Sequence, residues 1–426
     1  MLKYLFITAI VCFVINMPIG YALGVASVVS ILFAGNDAML LMVPQRIVAG
    51  MNSFPLLAIA YFMIAGAVME LGGVSKRIIN LASAFVGHVK GGVASAAIIS
   101  CAIFAAISGS TPATAAAIGS ITIPEMKKRG YPMDYSSAVV ASSACLGVII
   151  PPSITMVVFA NCANVSVGQG LIAGIIPGII LCAALVLTNW IFCRKAGYEV
   201  ENKRSGKEIW FACKDAFWAV LMPVIILGGI MSGAFTPTES AAIAVAYGLI
   251  VGFFIYKELK FSELGELFYK AALNSAMIMV LIGCSSPFGY IMTTNKVPQI
   301  VSSFILGISD NYYIVYALVL IIFLLLGTFM ETASIIMLTV PILTPIMNAI
   351  GADLVHFACV GVIALAIGMA TPPVGISLFA TCGISKVTMA EISKKVWPFL
   401  GVMVLCLFLF MVFPQLCTFL PNLMFD

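Results

Sequence analysis

The 426-residue chain predicts an all-α polytopic membrane protein built on an inverted structural repeat, with two re-entrant helical hairpins and two broken helices. Three observations lead there. Hydrophobic residues make up 62% of the chain and charged residues 9%, with a mean hydropathy of +1.15, whereas a soluble protein carries roughly 25% charged residues. Apolar runs long enough to cross a bilayer recur from end to end. A shift of 221 residues also lays the prolines of one half on those of the other.

Lysine and arginine orient the loops. Lys76, Arg77 and Lys90 precede the first hairpin and Lys127, Lys128 and Arg129 follow it. Further basic groups run from Arg194 to Lys214, over Lys257, Lys260 and Lys270, and over Lys386, Lys394 and Lys395. The positive-inside rule assigns all of them to the cytoplasm; Arg46 and Lys296 fall outside the pattern. Residues 2–35, bending near Pro18 and lacking a small-residue cleavage site, read as a membrane helix and not a signal peptide. They are expected to cross outward from a cytoplasmic N-terminus, and residues 54–72 to return. Segment 92–124 enters and leaves on the basic side, so it is a re-entrant hairpin. A broken helix, 136–165, crosses outward and helix 171–192 comes back.

Residues 193–237 hold the large basic loop and one linking span, 215–234. Residues 238–256 then return and 271–293 lead outward. Segment 312–345, between Asp310 and Asp353 with no Lys or Arg nearby, is a hairpin entering from outside. A second broken helix, 355–385, crosses inward, and helix 396–416 places the C-terminus outside. The two repeats therefore occupy 1–192 and 238–426. Pro124 matches Pro345, Pro151 and Pro152 match Pro372 and Pro373, and Pro177 matches Pro398. Gly147 falls on Gly368 and Thr111 on Thr332. Nearer the start the offset drifts to about 223, pairing Gly66 with Gly289. The lone span 215–234 flips the second copy, which is the inverted-repeat plan of secondary transporters.

Function is concentrated in four helix breaks. The first copy has Ile107-Ser-Gly-Ser-Thr-Pro-Ala-Thr114 and Gly147-Val-Ile-Ile-Pro-Pro-Ser153; the second has Gly327 to Thr332 and Gly368 to Gly375. Exposed backbone is very costly in lipid, so such stretches must be buried in protein or line a watery cavity. A Pro-Pro pair removes two donors and bars helix from the residue before it. The break leaves carbonyls at one helix end and amides at the next start. The carbonyls suit a small cation such as sodium, the amides a carboxylate. One sodium site is expected among Ser108, Gly109, Thr111, Gly147, Ile150 and Pro152. The other is expected among Gly327, Thr328, Glu331, Thr332, Gly368, Thr371 and Pro373. The anionic substrate would lie between them, near Ser110, Thr111, Pro112, Ser153, Thr332 and Gly375. The competing reading is that these small residues and prolines only permit close helix packing.

Two acids repeat the pattern T-x-x-E of a capping box: Thr236 with Glu239, and Thr328 with Glu331. For Glu239, after Pro237, the pattern favours capping. For Glu331, at a hairpin tip inside the membrane, capping and function both stay open. No HExxH, GxSxG or Walker A pattern occurs, so enzymatic chemistry and ATP hydrolysis have no sequence support. Twelve cysteines without a CxxC pair, and two histidines, His88 and His356, argue against a disulfide framework or a zinc site. No organic cofactor or nucleic-acid partner is implied; the net charge of +4 reports loop orientation.

Ser108 to Gly119, followed by Pro124 and Gly130-Tyr131, then Phe235-Thr-Pro-Thr-Glu-Ser-Ala-Ala242, Met330-Glu-Thr-Ala333 and Gly368 to Gly375, carry a resemblance. The chain resembles the large membrane subunit of the TRAP (tripartite ATP-independent periplasmic) transporters, DctM-like family, over nearly its full length. Ala364 stands where many relatives carry asparagine, so no side-chain ligand is implied there. The resemblance implies a bacterial inner-membrane permease that imports an organic acid, such as sialic acid or a C4-dicarboxylate, driven by two or more sodium ions. It implies a periplasmic substrate-binding protein and a separate small four-helix membrane subunit as partners. It also implies an elevator motion against a scaffold of residues 1–72 and 215–293. A stand-alone sodium/anion symporter and a non-transporting structural membrane protein remain as alternatives.

Overall fold

The computed structural model describes every residue except 16, 197, 199, 201, 310 and 426, and the backbone alone of 195, 196, 306 and 308. Asp310, one of the acids framing the second hairpin, thus lies outside the described residues. The first part of the chain forms α1 (Leu2–Val14), α2 (Ile19–Phe33), α3 (Met42–Met51), α4 (Phe54–Leu71) and α5 (Val74–Val86). The first hairpin is α6 (Gly92–Ser108) and α7 (Thr111–Lys128). The first broken helix is α8 (Met133–Ala144), a 3-10 turn Cys145–Val148, and α9 (Ile154–Ala163). There follow α10 (Val167–Ala173), α11 (Ile175–Ala196), α12 (Gly206–Met231), α13 (Pro237–Ile250) with a π-helical turn Val251–Ile255, α14 (Phe261–Thr294) and α15 (Val297–Ile308). The second hairpin is α16 (Tyr312–Gly327) and α17 (Thr332–Ala349), and the second broken helix is α18 (Leu354–Met369) and α19 (Ile376–Ser385). The chain closes with α20 (Met389–Val412) and α21 (Gln415–Phe425).

The hairpins and breaks fall where the prolines and glycines put them. The outward crossing expected of residues 2–35 is corrected. Pro18 ends the first helix instead of bending it, because it has no N–H to continue the ladder. Helices α1 and α2 pack side by side, with Tyr4 stacked on Phe33 at 5.3 Å. Met1 Sδ lies 3.9 Å from the Asn295 amide at the end of α14, and Phe6 meets Phe288 edge-on. Helix α14 runs antiparallel to α4: Ser275 bonds Met63, while Gly283 lies against Met51. The N-terminus and the Arg77 cluster thus stand at opposite ends of α14.

Helices α3, α5, α15 and α21 lie outside the expected spans. They are too short, and α5 too polar, to register as crossings. Helix α5 buries Val74, Ser75, Ile78 and Ala82 on one stripe and exposes Lys76 and Asn80, the 3.6-residue period of a surface helix.

One ionic node pins α5 to its neighbours. Arg77 reaches Glu258 at 2.7 Å and Asp215 at 3.2 Å, lies 3.8 Å over the Tyr256 ring, and donates to Gly73 O at 2.9 Å. Gly73 has φ +76°, and a Cβ there would overlap the Glu258 carboxylate. Because both acids are about half exposed, the ion pairs count for little and the ring contact for about as much. Arg77→Ala is expected to destabilise the protein by about 1–2 kcal/mol. Arg77→Lys should recover only part, since an ammonium cannot stack and bridge both acids as a planar guanidinium does. Thermal unfolding in detergent checks both.

A buried amide holds the start of the first hairpin. Asn189 donates to Gly91 O at 2.9 Å and Ser95 Oγ at 2.8 Å, and accepts from the Tyr135 hydroxyl at 2.8 Å. It ties α6, α8 and α11 into one body.

Candidate functional site

The first hairpin tip and the first break meet through backbone. Gly109 caps α6 at φ +60°, a left-handed conformation glycine adopts without strain. Its carbonyl accepts from Ile154 N at 3.4 Å, and a Cβ on it would lie 2.7 Å from Pro152 O. Opposite, a Cβ on Gly147 would come within 2.7 Å of both Ser110 O and Thr114 Oγ1. The Thr114 hydroxyl donates to Ser110 O at 2.8 Å, so Ser108 Oγ, 2.8 Å away, donates to Thr114. Ser108, Gly109, Ser110, Gly147 and Pro152 are thus brought together as a charge-free cluster of oxygens.

Three neighbours behave differently. The Ile150 side chain packs on Gly178 of α11. Ser153, fully buried, donates to Val148 O at 2.6 Å and caps α9 by accepting from Met156 N at 3.1 Å. Pro112 is exposed in the first turn of α7.

In the second half, Gly327 and Gly368 let α16 and α18 cross with backbones touching; a Cβ on Gly368 would lie 2.7 Å from Gly327 Cα. Gly375 N donates to Thr328 O at 3.1 Å, and a Cβ on Gly375 would sit 3.0 Å from Thr371 O and 3.2 Å from Met369 O. Three carbonyls thus gather round Gly375. The Thr371 and Thr328 hydroxyls turn back onto Ile367 O and Leu325 O, both at 2.7 Å. Pro373 is exposed beside them.

The capping box holds at Thr236 and Glu239, where both reciprocal bonds form. It does not hold at Thr328 and Glu331. Glu331 is itself the N-cap of α17, accepting from Ala333 N at 2.9 Å and Ser334 N at 3.3 Å. The reason is a shift in register: α17 starts at Thr332, not after Thr328. Thr332 donates to Glu331 Oε1 at 3.0 Å, so Thr155, 3.3 Å from Thr332, donates to it in turn. A relay of two hydroxyls therefore joins α9 to the acid at the second hairpin tip. Glu331→Asn, which keeps the cap, is expected to retain transport. Glu331→Ala should cost about 1 kcal/mol of stability. Loss of transport in both, by uptake assay, would give the carboxylate a direct role.

Thr114 and Thr155 are contacts that the expected site set omits. Thr114 closes the polar knot three residues after Thr111, and Thr155 follows Ser153 by two, so both were signalled by proximity to the breaks. The four half-helix starts also differ. Helices α17 and α9 are capped by Glu331 and Ser153, while α7 and α19 have no side-chain cap. Both run toward the basic side, and Ile384 of α19 lies against Gly119 of α7. Each is eight residues past its helix start, so the uncapped amides of α7 and α19 sit at one depth. Thr111 Oγ1, at the start of α7, is buried with no hydrogen-bond partner.

Paired hairpin tips seated on broken helices, with seven helices among the described residues long and apolar enough to cross a bilayer, define a polytopic helical membrane protein. Residues 6–416 match the family described as "Tripartite ATP-independent periplasmic transporter, DctM component". The chain belongs to that family, and so is a multi-pass membrane component of a transporter, not an enzyme. It is 40% identical over 407 residues to the isethionate TRAP transporter permease protein DctMQ of Oleidesulfovibrio alaskensis, covering 95% of this chain and 64% of that one. It is 36% identical over 423 residues to the C4-dicarboxylate TRAP transporter large permease protein DctM of Rhodobacter capsulatus, covering 96% of each. Its fold is similar to the YdaH transporter of Alcanivorax borkumensis, with a TM-score of 0.65 at 12% identity over 90% of this chain and 89% of that one.

Proposed function

We propose that this chain is the sodium-coupled permease of a three-part importer for an organic acid, seated in the bacterial inner membrane. A periplasmic binding protein delivers the solute and a small four-helix membrane subunit braces the permease. The observation that carries the reading is the chemistry of the breaks. Pro152 O, Ser110 O and Thr114 Oγ1 on one side, and Thr328 O, Met369 O and Thr371 O on the other, are neutral oxygens suited to a desolvated monovalent cation. The uncapped amides of α7 and α19, beside the unpartnered Thr111 hydroxyl, suit a carboxylate. Relatives named for C4-dicarboxylate and isethionate transport are consistent with an anionic solute.

The two copies are read as an inverted repeat. Cys145 Sγ donates to Ala366 O at 3.0 Å across a separation of 221 residues, and equivalent residues touch only where two symmetric copies meet. We read the hairpins and broken helices as a mobile body sliding as an elevator against a scaffold of residues 1–72 and 215–293. With basic loops inside, Met1 and the end of α21 both lie outside.

Replacing sodium by choline, with membrane potential maintained, is expected to abolish uptake into proteoliposomes carrying the assembled importer. Uptake unchanged without sodium would overturn the coupling.

A further inference from the structure

On the basic side, away from the hairpin tips, the ends of α8, α11 and α20 enclose a cleft of about 370 Å³. Tyr135, Phe192 and Phe399 wall it, and Tyr198, Lys394 and Lys395 line its polar part. The walls present rings: Tyr135 lies 6.0 Å from Phe399, and Phe192 stacks on Phe399 at 6.5 Å. The Tyr135 hydroxyl is already spent on Asn189, so the cleft meets its apolar face. Lys394 and Lys395 are exposed and form no ion pair among the described residues. Of the acids on α8 and α20, Asp134 accepts from Tyr135 N at 2.7 Å, and Glu391 accepts from Thr388 N at 3.0 Å while also feeling the charge of Lys394 three residues on.

The tryptophans set the depth. Trp190, Trp210, Trp218 and Trp397 each lie within four residues of a lysine or arginine, and Arg194 sits 5.4 Å over the Trp190 ring. Tryptophan beside basic residues marks the headgroup layer of a bilayer. Phe192, 47% exposed, opens the cleft sideways at that depth.

We propose that this cleft binds an acidic phospholipid, its phosphate between the Lys394 and Lys395 ammonium groups and an acyl chain along Phe192 and Phe399. Basic pockets between membrane helices at the headgroup level hold anionic lipids. A free phosphate ion would use the lysines but leave the aromatic wall without a function.

The test uses the purified full chain in phosphatidylcholine nanodiscs doped with phosphatidylglycerol, with retained lipid read by native mass spectrometry. The wild type is expected to retain phosphatidylglycerol over phosphatidylcholine by about tenfold, and Lys394→Gln with Lys395→Gln to remove that preference. Lys127→Gln with Lys128→Gln removes equal charge elsewhere and should leave the preference intact; an equal loss there would reduce the effect to general surface charge and overturn the proposal. Preference surviving the Lys394 and Lys395 changes would overturn it too. So would displacement of the lipid by inorganic phosphate alone. Phe399→Ala, with both lysines kept, should weaken retention of the lipid without changing affinity for inorganic phosphate. Unchanged lipid retention in this variant would overturn the acyl-chain contact.

Discussion

Gly109→Ala should lower uptake by about 100-fold or more while the protein still inserts, because a misplacement near 1 Å at a positioned site carries losses of that order. Two effects act together. At φ +60° an L-residue costs about 1–2 kcal/mol. The new Cβ would also lie 2.7 Å from Pro152 O and 3.3 Å from Ile154 N, both backbone atoms that cannot swing aside. Relieving the clash pushes the hairpin tip off the break, lengthening the bond from Ile154 N to Gly109 O and dispersing the oxygens of Ser110, Thr114 and Pro152. Gly109→Asn separates the two effects, since asparagine tolerates the left-handed region but still carries a Cβ. If backbone conformation alone mattered, Asn would restore uptake. The contact with Pro152 O predicts that it does not. Surface biotinylation to confirm insertion, with initial uptake rates, decides between them.

What could be seen in the sequence divides along physical lines. Hairpins 92–124 and 312–345 and both broken helices were visible because proline and glycine act locally: Pro151-Pro152 and Pro372-Pro373 stop helix wherever the chain carries them. Fold class followed from apolar runs of about 20 residues, which fit membrane helices and not the ten-residue alternation of barrel strands. Residues 2–35 misled because Pro18 permits either a kink or a turn. Only the partners decide, and these are Phe33 for Tyr4 and Asn295 for Met1. Helix α5 was missed because its identity lies in a buried stripe and in Arg77, whose partners Asp215 and Glu258 are remote in sequence. Within the site, glycines were informative where chain met chain. Hydroxyl orientation was not legible: Ser153 and Thr371 each turn their O–H onto a carbonyl of their own segment, a choice set by local backbone geometry. Of the two readings left open for Glu331, the box fails and an N-cap takes its place, because one change in helix start moves every capping position with it.

The second hairpin gives the sharper contest between local and tertiary effects. Gly368 and Gly327 lie in helices with ordinary backbone angles, so Gly→Ala should favour each helix by about 1 kcal/mol on propensity alone. Against that, a Cβ on Gly368 would sit 2.7 Å from Gly327 Cα and 2.9 Å from Leu324 O, and one on Gly327 would sit 3.0 Å from Gly368 Cα. Overpacking of this kind costs about 1–3 kcal/mol and is relieved by parting the helices. Gly368→Ala is therefore expected to destabilise the protein and to lower uptake about as severely as Gly109→Ala, since α18 leads straight into the carbonyls around Gly375. Gly327→Ala should do nearly the same. The double variant should fall short of the sum, because one methyl already opens the gap the other needs. Gly383→Ala is the control: it is exposed on α19 with nothing within 4 Å of a new Cβ, so propensity should win and stability hold or rise. Additive losses at Gly327 and Gly368, or a stabilised Gly368→Ala, would mean that the two helices do not touch there, and the cation site proposed around Gly375 would lose its frame.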